Sequence, residues 1–494
     1  MTNRILAYTL TAAALFIFAA TRPLLAADGK HLNVLLIVSD DLNCSLGCYG
    51  DGVVKTPNID RLASRGVRFD RSYCNYPVCN ASRTSFLSGR YPETTGVLGN
   101  ATQPRVKLGP DFQFLPEYFR ANGYFTAGIG KIAHGSFPGS IKWDVFAEPM
   151  RGVDEDELPG AKAAGKKGGK KGKKGKKGAG ADEATAAANP ENVPFGWSAT
   201  ENKDEDEPDG ITATKIVKLL EEHSGKDKPF FIAAGFHKPH VPHTAPKKYF
   251  EMYPPTDMPT PVEPTDHSKS IPAIAHPPKY FPDLQEIQKK EIISHYHAAT
   301  TFMDSQVGRV LEAVDRLKLW DDTVIVFLGD HGWHLGEHDG FWAKSSIMEE
   351  SARAPLIVAA PGAKSGAACA RMVEFVDIFP TLTDLCGLSN PAGLEGLSFA
   401  PVLADPARPW KKAVFTVVTR GTGPRTARTQ LGHGVRTEQY TYLEWPDGST
   451  QLYDHTQDAK EYFNLAKDPK FAQTVADMKQ LLKDGPKAAR PPGI

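Results

Sequence analysis

"NVLLIVSDD", residues 33–41, is an unbroken apolar run that stops abruptly at two carboxylates. A strand buried on both faces reads this way, because side chains at alternate positions all need apolar partners. The stretch is therefore expected to be a central parallel strand whose carboxyl end delivers Asp40 and Asp41. "DTVIVFLGDHGWHLGEH" (322–338) repeats the pattern, with a strand over Thr323–Leu328 that ends in Asp330 and His331.

Working outward, "KPFFIAAGFHKPHVPH" (228–243) is a further buried strand running into a loop dense in His and Pro, and "APLIVAAPG" (354–362) is another strand. Helical signals fall between them. "TPNIDRLASRGVRF" (56–69) reads as turn, helix and a stop at Gly66, Leu284–Leu317 carries helical spacing, and "EFVDIFPTLTDLCGL" (374–388) reads as a helix. "YFRANGYFTAGIGKIAHG" (118–135) gives a helix end, a short strand and a loop holding Lys131 and His134. Strands alternating with helices indicate an α/β fold, a large, mostly parallel or mixed sheet sandwiched by helices. The tail, "LGHGVRTEQYTYLEWPDGSTQLYDHTQDAKEYFNL" (431–465), changes to short strands joined by turns, hence a small C-terminal antiparallel-sheet subdomain.

The 494 residues suit one large domain with a satellite. Arg4, the apolar run Ile5–Ala20 and the small residues Ala26 and Ala27 have the layout of a secretory signal. The expected organisation is a signal peptide over 1–27, a catalytic domain over 28–425 and the subdomain over 426–494. The chain is thus expected to be exported, to periplasm or medium, without stable membrane insertion. Residues 160–189, a Gly/Lys/Ala tract, are expected to form a disordered surface insertion, since nothing there can bury enough surface to offset its ordering entropy. Formal charge is zero, with 58 basic and 58 acidic residues, but nine of the lysines lie between Lys162 and Lys177. Without them 49 basic residues face 58 acidic ones, which argues against a nucleic-acid surface.

Ligands of open α/β sheets bind beyond the carboxyl ends of the strands, where Asp40, Asp41, Asp330 and His331 fall. A single Asp there is most often a helix or turn cap. Two strand ends that each offer a pair favour a cation, and oxygen donors suit a hard ion such as calcium or magnesium. "PVCNASRTSFLSGR" (77–90) supplies a lone Cys79 ahead of Arg83 and a helix expected over residues 81–88. Helix N–H groups and a guanidinium would stabilise a thiolate nucleophile there. A disulfide from Cys79 to Cys74, Cys44 or Cys48 is the equal alternative, although six cysteines are too few to staple so large a domain.

"VLLIVSDDL", "TPNIDRLASRGVRF", "VCNASRTSFLSGR", "GKIAHG", "FHKPHVP", "LGDHGWHLGEH" and "WAKSS" stand in the order used by type I sulfatases. From about Asn33 to Leu465 the chain resembles their iduronate 2-sulfatase-like branch, within the alkaline phosphatase superfamily. The resemblance implies that a formylglycine-generating or sulfatase-maturing enzyme converts Cys79 to formylglycine, and that Asp40, Asp41, Asp330 and His331 hold calcium with the converted residue. It implies hydrolysis of a sulfate ester, on a sulfated carbohydrate, by attack of the aldehyde hydrate on sulfur. Arg83 and Lys131 would stabilise the diol and developing charge, and His134 would deprotonate the second hydroxyl. His237 and Lys344 would grip the sulfate and protonate the leaving alcohol, with Lys238, His240 and His243 as substrate or supporting contacts. Ala81 departs from the commonest Cys-x-Pro-Ser-Arg signature, so an unmatured carbohydrate-binding pseudoenzyme is one rival reading, and a phosphonate or phosphodiester hydrolase is the other. Glu337 and His338 in "HLGEH" have the wrong spacing for a metalloprotease motif. Trp197, Trp333, Trp342 and Trp445 suit either sugar stacking or the core.

Overall fold

The computed structural model describes residues 31–135, 137–149, 195–420 and 430–491. The signal segment over 1–27 and the insertion over 160–189 lie outside the described residues. Eight strands form the main sheet: β1 (Asn33–Asp40), β2 (Val67–Tyr73), β3 (Phe125–Gly130), β4 (Val145–Ala147), β5 (Phe230–Pro239), β6 (Thr323–Gly329), β7 (Leu356–Ala359) and β8 (Ala367–Glu374). Their order across the sheet is β8-β2-β7-β6-β1-β5-β3-β4. β7 runs against its neighbours β2 and β6, and every other pairing is parallel.

The apolar run of β1 is explained by its two faces. Val34, Leu36 and Val38 pack into one apolar cluster, with Phe86, Phe119 and Phe379. Leu35 and Ile37 pack into another, with Leu62, Ile216, Met303 and Val307. Helices α1 (Pro57–Arg65), Pro208–His223 and Glu286–Arg316 therefore cover one side of the sheet. α2 (Cys79–Ser88), Leu115–Ala121 and Ile378–Leu385 cover the other.

Two features depart from the sequence reading. β2 had no apolar-run signal, because "VRFDRSY" puts Arg68, Asp70 and Arg71 on partly exposed positions between the buried Val67, Phe69, Ser72 and Tyr73. The antiparallel sheet comprises Val414–Thr419, Leu431–Arg436, Tyr440–Glu444 and Thr450–Asp454. Its first strand lies ahead of the boundary expected at 425. "VFTVVT" is buried almost throughout, so it reads like a strand of the main core. Among the described residues no helix is long and apolar enough to cross a membrane. All six cysteines are free, so the disulfide alternative for Cys79 is excluded in this structure.

Candidate active site

The site forms where β1 and β6 end side by side. Their parallel register runs from Asn33–Thr323 to Ser39–Gly329, so the next residues, Asp40 and Asp330, emerge together. The Asp330 N–H donates to the Ser39 carbonyl at 3.0 Å, and the Asp41 N–H donates to Asp330 Oδ1 at 3.0 Å. Asp41 adopts a left-handed backbone, φ 60°, which turns its carboxylate back toward Asp330. α2 starts at Cys79, two residues before the expected start, so the thiol sits on the first helical turn. All ten residues of α2 are buried, which fixes Cys79 and Arg83 against the strand ends.

The Arg83 guanidinium is engaged by the carboxylates rather than by the thiol. Its Nε donates to Asp330 Oδ2 at 2.9 Å, its Nη2 donates to Asp40 Oδ1 at 3.1 Å, and its Nη1 is engaged by the Lys131 carbonyl. With its side chain fully buried, the guanidinium braces the carboxylates. The mouth of the site is cationic through Lys344 and Lys131, while burial and Lys131 hold His240 neutral beside them. Lys344 Nζ lies 2.6 Å from Asp41 Oδ1 and 2.9 Å from Cys79 Sγ. Lys131 Nζ is ion-paired with Asp40 Oδ2, and His134 hydrogen-bonds the thiol. His331 Nε2 is 3.5 Å from Cys79 Sγ and 3.3 Å from Asp41 Oδ1.

The His-Pro loop is arranged differently from the sequence reading. His240 approaches the carboxylates, with Nε2 at 3.7 Å from Asp41 Oδ2 and 4.0 Å from Asp40 Oδ2. The His237 ring instead faces Glu148 and Asp209, at 3.7 and 3.6 Å. Lys238 Nζ donates to the carbonyls of His240 and Pro242, at 3.1 and 2.7 Å, and so holds the loop. Asp209, which carried no sequence signal, anchors this loop by accepting the backbone N–H groups of His237 and Lys238 at 2.8 and 2.9 Å. His243 is buried beside Tyr296, and Trp333, Trp342 and Trp445 are buried, consistent with core packing.

Charge in this group tests its fit to a cation. Burial pushes Asp41 up to about 7, against the pull of Lys344, and pushes Asp330 up to about 6, against Arg83. Burial would lower His331, but Asp330 and Cys79 hold it at about 9. Asp40 goes the other way: burial is outweighed by Lys131, His240 and Arg83. Burial and Asp40 raise the Cys79 thiol, yet Lys344, Lys131 and His134 bring it well below the ordinary value. Without an ion, protons take the place of positive charge among these carboxylates. Asp41 Oδ2 is buried without a hydrogen bond. The Nδ1–H of His331 donates to the Gly332 carbonyl at 2.9 Å, so Nε2 faces the group and offers its lone pair once a cation displaces the proton there. Two overlapping groups, Asp40, Asp41, Cys79 and His240, and Asp40, Cys79, Asp330 and His331, each hold their ligand atoms within 4.8 Å of one another and fit a divalent cation.

A mixed α/β sheet with an oxygen-rich, lysine-flanked pocket at its strand ends defines a hydrolase of anionic esters. The chain belongs to the sulfatase family, whose family model, described as "Sulfatase", matches residues 32–388. A second, "N-sulphoglucosamine sulphohydrolase, C-terminal", matches residues 336–487. The chain is 34% identical to iduronate 2-sulfatase of Mus musculus, over 74% of this chain and 71% of that protein. A structure solved in complex with D-glucosamine-2-N,6-O-disulfate superposes with a TM-score of 0.74, at 21% identity, covering 93% of this chain and 98% of that one. The phosphonate monoester hydrolase of Agrobacterium radiobacter superposes at 0.72, with 23% identity, 92% of this chain and 95% of that one. The protein is accordingly a sulfuric ester hydrolase with the alkaline-phosphatase-like fold. The family generally uses formylglycine and a metal ion.

Proposed function

We propose that this enzyme hydrolyses sulfate esters on a carbohydrate after export, using formylglycine formed from Cys79 and a calcium ion held by Asp40, Asp41, Asp330 and His331. The observation that carries the reading is Lys344 Nζ at 2.9 Å from Cys79 Sγ and 2.6 Å from Asp41, which puts a cation beside the nucleophile position and the carboxylates. When bound, the ion and the converted residue supply the charge neutralisation and the nucleophile that the thiol form lacks. Lys344 and Lys131 face the same space and hold the sulfate oxygens while negative charge moves to the leaving alkoxide. Lys344 is held protonated, because Asp41 and Cys79 outweigh the burial that would discharge it, so it can also donate toward that oxygen. His134, already hydrogen-bonded at position 79, is placed to take a proton there. His240 takes over the role first assigned to His237: its Nδ1–H donates to the Val241 carbonyl at 2.5 Å, which aims Nε2 into the site.

The carbohydrate assignment is supported by the iduronate 2-sulfatase likeness and by the disulfated glucosamine in a structural neighbour. Export is supported by the signal layout of residues 1–27. The likeness to a phosphonate monoester hydrolase favours one second reading, turnover of phosphonate or phosphodiester substrates in the same pocket. The test begins with the mass of the peptide holding Cys79 in exported protein, where conversion makes the peptide lighter than its thiol form. Aryl sulfate and aryl phosphodiester are then compared as substrates, followed by sulfated mono- and disaccharides. A thiol mass throughout would establish the pseudoenzyme reading, with Ala81 as the departure that prevents maturation. A faster phosphodiester reaction would establish the second reading.

A further inference from the structure

The motif "HLGEH" has no part in the chemistry above, yet the fold gives it a partner. His334, His338 and Glu350 each direct one ligand atom to a common point, all within 4.8 Å of one another. His338 Nε2 is 3.2 Å from Glu350 Oε2, and His334 Nδ1 is 4.0 Å from the same oxygen and 3.6 Å from Glu337 Oε2. Both imidazoles are fully buried. Both ring nitrogens of His334 and Nδ1 of His338 have no hydrogen-bond partner. A buried imidazole with neither nitrogen hydrogen-bonded, facing two carboxylates, carries an unmet desolvation cost that a bound cation would relieve.

The neighbouring group of Glu349, His455 and Glu461 shows the contrast. There Arg436 already supplies the cation, at 3.1 Å from Glu349 and 2.9 Å from Glu461. Among the described residues Glu350 has no arginine paired with it: its cationic neighbours are His338 itself, which Glu350 holds above the ordinary histidine value, and Lys460, at 3.8 Å from the other oxygen, Oε1, with a largely exposed side chain. The backbone is set for the cluster too. His338 and Asp339 are consecutive left-handed residues, φ 53° and 58°, held there by Glu263, which accepts both of their N–H groups at 2.6 and 2.8 Å. Such a conformation persists in non-glycine residues when the surroundings impose it. A groove of about 480 Å³ has Glu337 and Glu350 in its lining and offers an entry path.

We infer that His334, His338 and Glu350 form a second metal site, distinct from the carboxylate site at Cys79, that takes a zinc-class divalent cation. Two imidazoles and one carboxylate are the donor set for such an ion, whereas calcium takes mainly oxygen. Either Glu337 or a water completes four-coordination. His338 and Glu350 bracket the segment that carries Lys344, so an ion bound here ties both ends of that segment together and positions the lysine at Cys79.

The test uses the full chain, stripped with a chelator, saturated with calcium and then exposed to zinc. One tightly held zinc per chain is expected, unchanged in Asp41→Asn and at least tenfold weaker in both His338→Gln and Glu350→Gln. Because a substituted chain can fail to fold, the unaltered protein is also loaded with cobalt(II), which should give the visible absorption of a four-coordinate N/O site. Absence of zinc beyond the calcium site would overturn the inference and leave His338 and Glu350 as a plain ion pair. So would loss of the zinc in Asp41→Asn, its retention in folded His338→Gln, or a six-coordinate cobalt spectrum.

Discussion

Lys344 and Arg83 are both cations near Cys79, but of the two it is Lys344 whose amine bonds the thiol at the position where a substrate would react. Arg83 is committed to Asp40 and Asp330 through two hydrogen bonds in a fully buried setting. Replacing Lys344 with Ala should therefore cut kcat/KM for an aryl sulfate by on the order of 10²-fold, the usual cost of one transition-state donor, while leaving the melting temperature nearly unchanged. Steady-state rates and a thermal melt on the same preparation check this, and full activity would remove Lys344 from the chemistry. Arg83→Met should instead lower both activity and stability, because two carboxylates would face each other without their bridge. An ion held as proposed by Asp40, Asp41 and Asp330 would bind the folded chain only, so chelation should abolish turnover and lower the melting temperature, and added calcium should restore both. At a thousandfold excess over Kd the linkage is worth about 4 kcal/mol. A melting curve indifferent to chelator would show that Asp40, Asp41 and Asp330 hold no ion.

At the scale of elements, the site depends on how closely β3 and β5 approach at their ends. The Lys131 N–H donates to the Gly235 carbonyl at 2.9 Å, and a Cβ on Gly235 would lie 2.3 Å from the Lys131 carbonyl carbon. Gly130, at φ 81°, has the same crowding from the other side, 2.0 Å from the Gly235 oxygen. Gly235→Ala should push Lys131 off Asp40 and cost a few kcal/mol of stability, with activity falling at least tenfold, checked by denaturant titration and rates. A neutral result would mean that the strand ends yield without moving Lys131. These contacts also show what could be read from sequence. The runs in β1, β5 and β6 were legible because burial on both faces favours apolar residues throughout, and the carboxylates at the ends of β1 and β6 followed directly. β2 was not legible, since half its side chains meet solvent, and the antiparallel direction of β7 leaves no mark on four buried aliphatic residues. The choice of His240 over His237 depends on Asp209, which pins the loop from a helix with no sequence link to it.

Across the whole molecule, the seam between the main body and the antiparallel sheet lies close to the site, and it joins an apolar cluster, in which Ile347 and Met348 meet Val417 and Leu443, to a group of charges. Arg436 on the small sheet bonds Glu461, whose carboxylate also accepts the Glu349 N–H at 2.8 Å and pairs with His455 at 3.2 Å. Glu349 follows Lys344 by five residues, so this seam steadies the loop that delivers the lysine. Burial would raise Glu461, but Arg436 and His455 bring it down to about 2 from an ordinary 4.5. A depressed carboxylate stabilises the fold at pH above its unfolded value, and that stabilisation disappears as pH falls from 4.5 toward 2. The shift corresponds to on the order of 3 kcal/mol. Glu461→Gln should therefore be clearly less stable than the unaltered enzyme at pH 7, with the gap closing between pH 4.5 and 2, where both chains carry a neutral group at 461. Denaturation midpoints of the two proteins measured across that window decide the matter. A gap that stays constant would mean that Glu461 holds the seam by packing alone, and that the small sheet steadies Lys344 without help from charge.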